Sequence, residues 1–238
     1  MAVKFASLHV LKAASKRKKH IIPCIVTLLN ACCGFLSIIN SIEGNVRSAA
    51  YCIIIAACMD MLDGRIARAL RSTSTMGMEL DSLADAVSFC VAPAILLYGT
   101  FCTRMPVVAL ISLSIYLCAG LSRLARFNIT PSSFSFMGLP TPIAACFMAQ
   151  FVLQEQWLVQ EIPLSINKVR LMVPLLLSIL MISRVPYPSF KKMSPTMTRI
   201  LVMFGFLICV LSTYQQISPF ALGICAYIAL GWTLCVHA

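Results

Sequence analysis

Of 238 residues, 60% are hydrophobic and only 11% are charged, with a mean hydropathy of +0.90, whereas a soluble domain of this length is near half apolar and about a quarter charged. That surplus of apolar side chains belongs in a bilayer and excludes an ordinary soluble fold. The net charge is +11, yet the basic residues flank apolar runs, and no soluble basic domain remains to hold nucleic acid.

The first 20 residues form a basic segment carrying Lys4, Lys12, Lys16, Arg17, Lys18 and Lys19, a flank suited to the cytoplasmic side and to anionic lipid. The apolar runs then predict an all-α, polytopic membrane bundle of about eight spans (six to eight). They fall at 21–40, 49–69, 84–103, 106–125, 140–157, 169–184, 199–214 and 218–236. The first run is long enough to cross, so a retained helix is expected rather than a cleaved signal peptide. The fifth is interrupted by Gln150, Gln154 and Glu155; it opens on "GLPTP" (138–142), where Pro140 and Pro142 suit a first helical turn. Three regions result: the basic N-terminus at 1–20, a core at 21–190, and a C-terminal helix pair at 191–238. The 12 cysteines lie mostly inside apolar runs and form no C-x-x-C pair, which reads as small hydrophobic filler rather than a zinc site or disulfide framework.

The distribution of charge orients the bundle. With a cytoplasmic N-terminus and every span crossing, only Arg47, Arg104, Lys168 and Arg170 of the 19 basic residues fall outside, as the positive-inside rule requires. The segment joining the second and third spans then lies at the cytoplasmic rim.

That segment, "DMLDGRIARALRSTSTMGMELDSLAD" (60–85), contains every aspartate of the chain: Asp60, Asp63, Asp81 and Asp85. On a helical wheel Asp60, Asp63, Gly64, Ala67, Arg68 and Arg71 share an arc of about 140°. Asp81 and Asp85, four apart, share a face of the next helix with Ser88, and the polar "RSTSTMG" (71–77) between the two helices, with Gly77, reads as the turn. Two helices can thus point two carboxylates each into one space. A bare cluster there would suffer mutual repulsion and desolvation. Divalent cations remove both problems, because Mg²⁺ prefers carboxylate and phosphate oxygens, and a metal pair suits displacement at phosphorus. Gly64 and Ala67 leave the helix face bare for a bulky anion, with Arg68 and Arg71 one turn on to meet phosphate oxygens.

The pattern D-x2-D-G-x2-A-R-x8-G-x3-D-x3-D, here Asp60, Asp63, Gly64, Ala67, Arg68, Gly77, Asp81 and Asp85, resembles the signature of the CDP-alcohol phosphatidyltransferases. "TLLNACCGF" (27–35), "DSLADAVSFCVAPA" (81–94), "GLSRLARFN" (120–128), "GLPTP" and "SRVPYPSF" (183–190) resemble its phosphatidylserine synthase branch, so the similarity covers roughly 20–190. The resemblance implies transfer of a phosphatidyl group from CDP-diacylglycerol to L-serine, releasing CMP, with Mg²⁺ or Mn²⁺, two ions per site, and a homodimer in the cell membrane. By position it makes Asp60, Asp63 and Asp81 metal ligands, and Asp85 both a ligand and the general base. Gly64, Ala67, Arg68 and Gly77 would line the CDP moiety. The chain's own inventory agrees on the base, since His9, His20 and His237 lie at its ends and Asp85 is the best candidate the sequence offers.

Some residues keep two readings. Thr27 and Asn30 share a face of the first span, where they contact the nucleotide or join helices by hydrogen bonds. Arg123, Arg126 and Arg184 either hold the serine carboxylate or act as topogenic charge. Rival functions are the same transfer to another alcohol, glycerol 3-phosphate or inositol, and a cation-coupled transporter. A transporter should show repeat symmetry, and none is visible.

Overall fold

A computed structural model describes residues 2–70, 74–101, 106–129, 138–158 and 166–183. Among them all regular structure is helical, with no strand. Helix α1 (Ala2–Ile42) has, from Ile21 onward, its polarity inverted relative to a soluble helix. From residue 27 onward its buried stripe is Thr27, Asn30, Gly34, Ser37 and Ser41, while Ile21, Ile22, Ile25, Leu28, Leu29 and Leu36 are exposed. Apolar outside and polar or small inside is the arrangement that lipid selects, because lipid offers no partner to a polar group.

Gly44, at φ 79°, turns the chain into α2 (Val46–Ala69). Its buried Ala49, Ala50, Ala56 and Ala57 let the two backbones approach closely. The Ser37 hydroxyl accordingly donates to the Ala49 carbonyl at 2.9 Å.

Helix α3 (Thr75–Asp85) begins where Ser74, in extended conformation, accepts the Gly77 N–H at 3.1 Å, a side-chain N-cap. This corrects two expectations. Gly77 lies in the first helical turn rather than in the connecting turn, and the stretch long and apolar enough to cross a membrane begins at Thr75, ahead of the span start expected at 84, on the helix already expected to carry Asp81.

The rod is not uniformly α-helical. Ala86–Val91 is a π segment, followed by α4 (Ala92–Phe101). The Ala92 N–H reaches the Val87 carbonyl, five residues back. Pro93 lies one turn beyond Phe89 and has no N–H to offer its carbonyl; the Tyr116 hydroxyl donates to that carbonyl instead, at 2.9 Å. Both neighbours press on the segment. A Cβ on Gly34 would lie 2.7 Å from Ser88 Cα, and one on Gly120 would lie 2.6 Å from Cys90 Sγ.

Tyr116 and Gly120 belong to α5 (Pro106–Ile129), which is followed by α6 (Thr141–Leu158) and α7 (Ile166–Ile182). Ile53, Phe89, Leu96, Leu97, Tyr116, Met148 and Met181 are fully buried where these rods meet. The chain enters α6 through Gly138, at φ 78°, and the Leu139 N–H donates to the Leu180 carbonyl of α7 at 3.0 Å.

The helices follow the order of the first six predicted spans. Three described stretches are long and apolar enough to cross a membrane: Ile21–Ile42, Thr75–Thr100 and Val107–Ile129. Shorter apolar stretches, Thr141–Gln154 and Met172–Ile182, occupy α6 and α7, and the apolar run of the continuous helix α2 is broken by Asp60, Asp63 and Arg65. The predicted spans 199–214 and 218–236 lie outside the described residues, as does the "RVPYPSF" stretch.

Gly34→Ala is expected to destabilise the fold by about 1–3 kcal/mol, the usual cost of overpacking, by pushing α1 off the π segment. Thermal unfolding in detergent measures it, and an unchanged midpoint would contradict this packing.

Candidate active site

The last turns of α2 carry Asp60 and Asp63, and the last two turns of α3 carry Asp81 and Asp85. Both helices pack against α1. One carboxylate oxygen each from Asp60, Asp63 and Asp81 lies within 4.8 Å of the others. Asp85 is not part of that group of three, although its charge interacts with each of them, and it and Asp63 are buried, at 8% and 4% exposure.

Helix α1 supplies the donors that hold this cluster. The single Thr27 hydroxyl proton goes either to Asp63 Oδ2 at 2.8 Å or to the Pro23 carbonyl at 3.1 Å. Asn30 Nδ2 donates to Asp85 Oδ1 at 3.2 Å, and the Ser88 hydroxyl donates to the Asn30 carbonyl at 2.9 Å. Thr27 and Asn30 therefore do form cross-helix hydrogen bonds, and two of those bonds end on the carboxylates.

The donors do not satisfy the cluster. Asp81 Oδ1 and Asn30 Oδ1 are buried and have no hydrogen-bond partner among the described residues. A buried acceptor without a donor calls for an ion or a ligand group. Two like charges about 4–5 Å apart repel by about 3–4 kcal/mol at an effective dielectric near 20. Oxygen-only ligands, excess negative charge and an unpartnered carboxylate oxygen fit a hard divalent cation. The residues present therefore fit the metal that the motif implies.

Beside the carboxylates, Gly64 leaves room. A Cβ there would meet only Arg68 Nη1, at 3.5 Å. Ala67 is half-buried and Arg68 exposed, so the helix face is open to a bulky anion with a guanidinium at its edge.

The arginines of α5 separate into different environments. Arg123 is 7% exposed and its Nη1 donates to Thr141 Oγ1 at 3.3 Å; its charge also acts on Asp60. Arg126 donates to the Met181 carbonyl at 3.2 Å and the Ile182 carbonyl at 3.4 Å. Those carbonyls end α7, so Arg126 caps a neighbouring helix. Arg184 and Arg71 lie outside the described residues. Thr141 is absent from the sequence-derived candidates, although "GLPTP" marks its position; nothing local could announce that Arg123 would reach it. The Tyr116 contact is equally silent, apart from Pro93 standing mid-rod.

The family model described as CDP-alcohol phosphatidyltransferase matches residues 20–180. The chain is 37% identical over 172 residues to the CDP-diacylglycerol–serine O-phosphatidyltransferase of Bacillus subtilis, covering 72% of this chain and 92% of that protein. It is 36% identical over 170 residues to the archaetidylserine synthase of Methanothermobacter thermautotrophicus, covering 70% and 69%. It is 31% identical over 191 residues to the CDP-diacylglycerol–serine O-phosphatidyltransferase of Helicobacter pylori strain 26695, covering 79% and 80%.

Removing the Arg126 guanidinium should leave two α7 carbonyls without their charged donor. Arg126→Ala is expected to lower stability by about 1–3 kcal/mol, read as a lower unfolding midpoint in detergent. A midpoint equal to that of the native protein would show that the cap contributes nothing.

Proposed function

The chain belongs to the CDP-alcohol phosphatidyltransferase family, and on that premise we propose that it transfers the phosphatidyl group of CDP-diacylglycerol to the hydroxyl of L-serine. The products are phosphatidylserine and CMP. The observation that carries this reading is the carboxylate cluster at the junction of α2 and α3, with Asp60, Asp63 and Asp81 oxygens within 4.8 Å. The acceptor follows from the relatives: two share a name that gives serine as the acceptor, and the third, an archaetidylserine synthase, is named for a different lipid that also carries serine.

Asp60, Asp63, Asp81 and Asp85 would hold two divalent cations, Mg²⁺ or Mn²⁺. When bound, such ions neutralise the carboxylates and the diphosphate and draw charge from the phosphorus under attack. The chain's own residues do the rest by placement. Gly64 and Ala67 admit the diphosphate to the α2 backbone, Arg68 meets its oxygens from the rim, and Gly77 lines the path of the CDP group. Asn30 holds one oxygen of Asp85, leaving the other for the serine hydroxyl. Asp85 takes the hydroxyl proton as the serine oxygen bonds to the phosphorus bearing the diacylglycerol. The phosphorus–oxygen bond to CMP breaks, and CMP leaves. Positioning and charge neutralisation account for most of the catalysis in such transfers.

Arg123, buried beside Asp60 and fixed by Thr141, is the best placed arginine to receive the serine carboxylate. Arg126 serves the α7 end instead, and Arg184 stays a serine-contact candidate on sequence alone. The unpartnered Asn30 Oδ1 suits a donor on the substrate, and Thr27 stands one turn away on the same stripe. The reading extends to a homodimer of eight-span chains in the cell membrane, with the N-terminus and active site on the cytoplasmic side; the charge distribution supports that orientation. The acyl chains would enter from the bilayer, and serine from water.

Membranes carrying the protein, given CDP-diacylglycerol and labelled serine, glycerol 3-phosphate or inositol in turn, test the acceptor. Label should enter lipid from serine alone; labelling from another alcohol alone would remove serine and keep the reaction class. Asp85→Asn should abolish transfer while CDP-diacylglycerol still binds, and substantial residual turnover would remove Asp85 from the base role.

A further inference from the structure

We propose that Tyr116 is a positioning residue for Asp85 and acts on it through the π segment. The inference rests on the reading of Asp85 as the base. Asp85 is the last residue of α3, and the wide register begins at the next residue. A π turn closes its hydrogen bond over one more residue than an α turn. Its presence between Asp85 and α4 therefore sets the angle at which α3 presents that carboxylate to the rest of the bundle.

Such a segment needs a cause, and the structure supplies causes on three sides. Pro93 removes the N–H that would draw the Phe89 carbonyl back into α register. Tyr116, 0% exposed, donates its hydroxyl to that carbonyl at 2.9 Å. Gly34 and Gly120 let α1 and α5 close on Ser88 and Cys90, where a Cβ would lie 2.7 Å from Ser88 Cα and 2.6 Å from Cys90 Sγ.

The segment is then tied back to the carboxylate it follows. The Ser88 hydroxyl donates to the Asn30 carbonyl at 2.9 Å, and Asn30 Nδ2 donates to Asp85 Oδ1 at 3.2 Å. A shift of the π segment therefore moves Asp85 along the backbone and moves the side chain that holds it. The Tyr116 hydroxyl is engaged on a carbonyl and touches no reacting atom, so its effect on turnover passes through the backbone.

Two variants approach the same register from opposite sides. Tyr116→Phe keeps the ring and removes the donor. Pro93→Ala keeps the donor and restores an N–H that lets the segment relax to α. Each is measured in the full-length protein in detergent, with CDP-diacylglycerol and labelled serine. Both are expected to lower kcat about tenfold, with KM for CDP-diacylglycerol within about twofold, since small misplacements of a reacting group cost rate rather than binding. Full kcat per folded molecule in either variant overturns the proposal, even if the unfolding midpoint falls. A rise in KM that matches the fall in kcat overturns it too. Asp85→Asn run in parallel separates the two levels. Retained turnover there refutes the base assignment; an inactive Asp85→Asn beside a fully active Tyr116→Phe refutes the positioning role alone.

Discussion

Negative charge held away from bulk water has to be neutralised, and the described structure is organised around that constraint. Three carboxylate oxygens within 4.8 Å of one another repel strongly in a low-dielectric setting. The polar stripe of α1 answers part of the demand, with Thr27 and Asn30 placed against Asp63 and Asp85. One buried oxygen of Asp81 still lacks a donor among the described residues. On the proposed reading the remaining neutralisation comes from divalent cations and, in turn, from a diphosphate that the cations hold.

Helix packing follows from the same need. Four polar side chains and a glycine can face inward on α1 only because α2 meets them with alanines and the π segment meets Gly34 with its backbone. Close backbone approach supplies the van der Waals contact that drives association in lipid, where apolar burial between helices contributes little. The exposed isoleucines and leucines of α1 are then the lipid-facing surface. The site and the membrane fold thus share one device, an inward polar stripe backed by small residues.

Much of this was legible in the sequence. Apolar runs gave the helices and their order, and the i,i+3 and i,i+4 spacing of the aspartates gave the two facing pairs, because both depend only on residues close in the chain. The Ser74 cap was missed, since a polar stretch containing a glycine reads equally as a turn or as a helix start. The partners of the site residues were invisible for a different reason. Thr27 and Asp63 are 36 apart in the chain, Asn30 and Asp85 are 55 apart, and Tyr116 and Phe89 are 27 apart. Arg126 shows the consequence: its composition and position suggested substrate or topology, and packing made it a cap for α7. Periodicity cannot indicate which face of one rod meets which face of another, and the π segment exists only because such meetings hold it.

The central claim is that the four aspartates form one divalent-cation site. Mn²⁺ binding to the purified protein, followed by electron paramagnetic resonance, tests it most directly and needs no substrate. The account predicts two spin-coupled Mn²⁺ ions per chain, as in paired sites about 3.5–4 Å across. It further predicts that Asp60→Asn or Asp81→Asn weakens binding by at least about tenfold, a loss seen even when a ligand's supporting partner is removed. Mn²⁺ bound equally well by both variants and the native protein would contradict it.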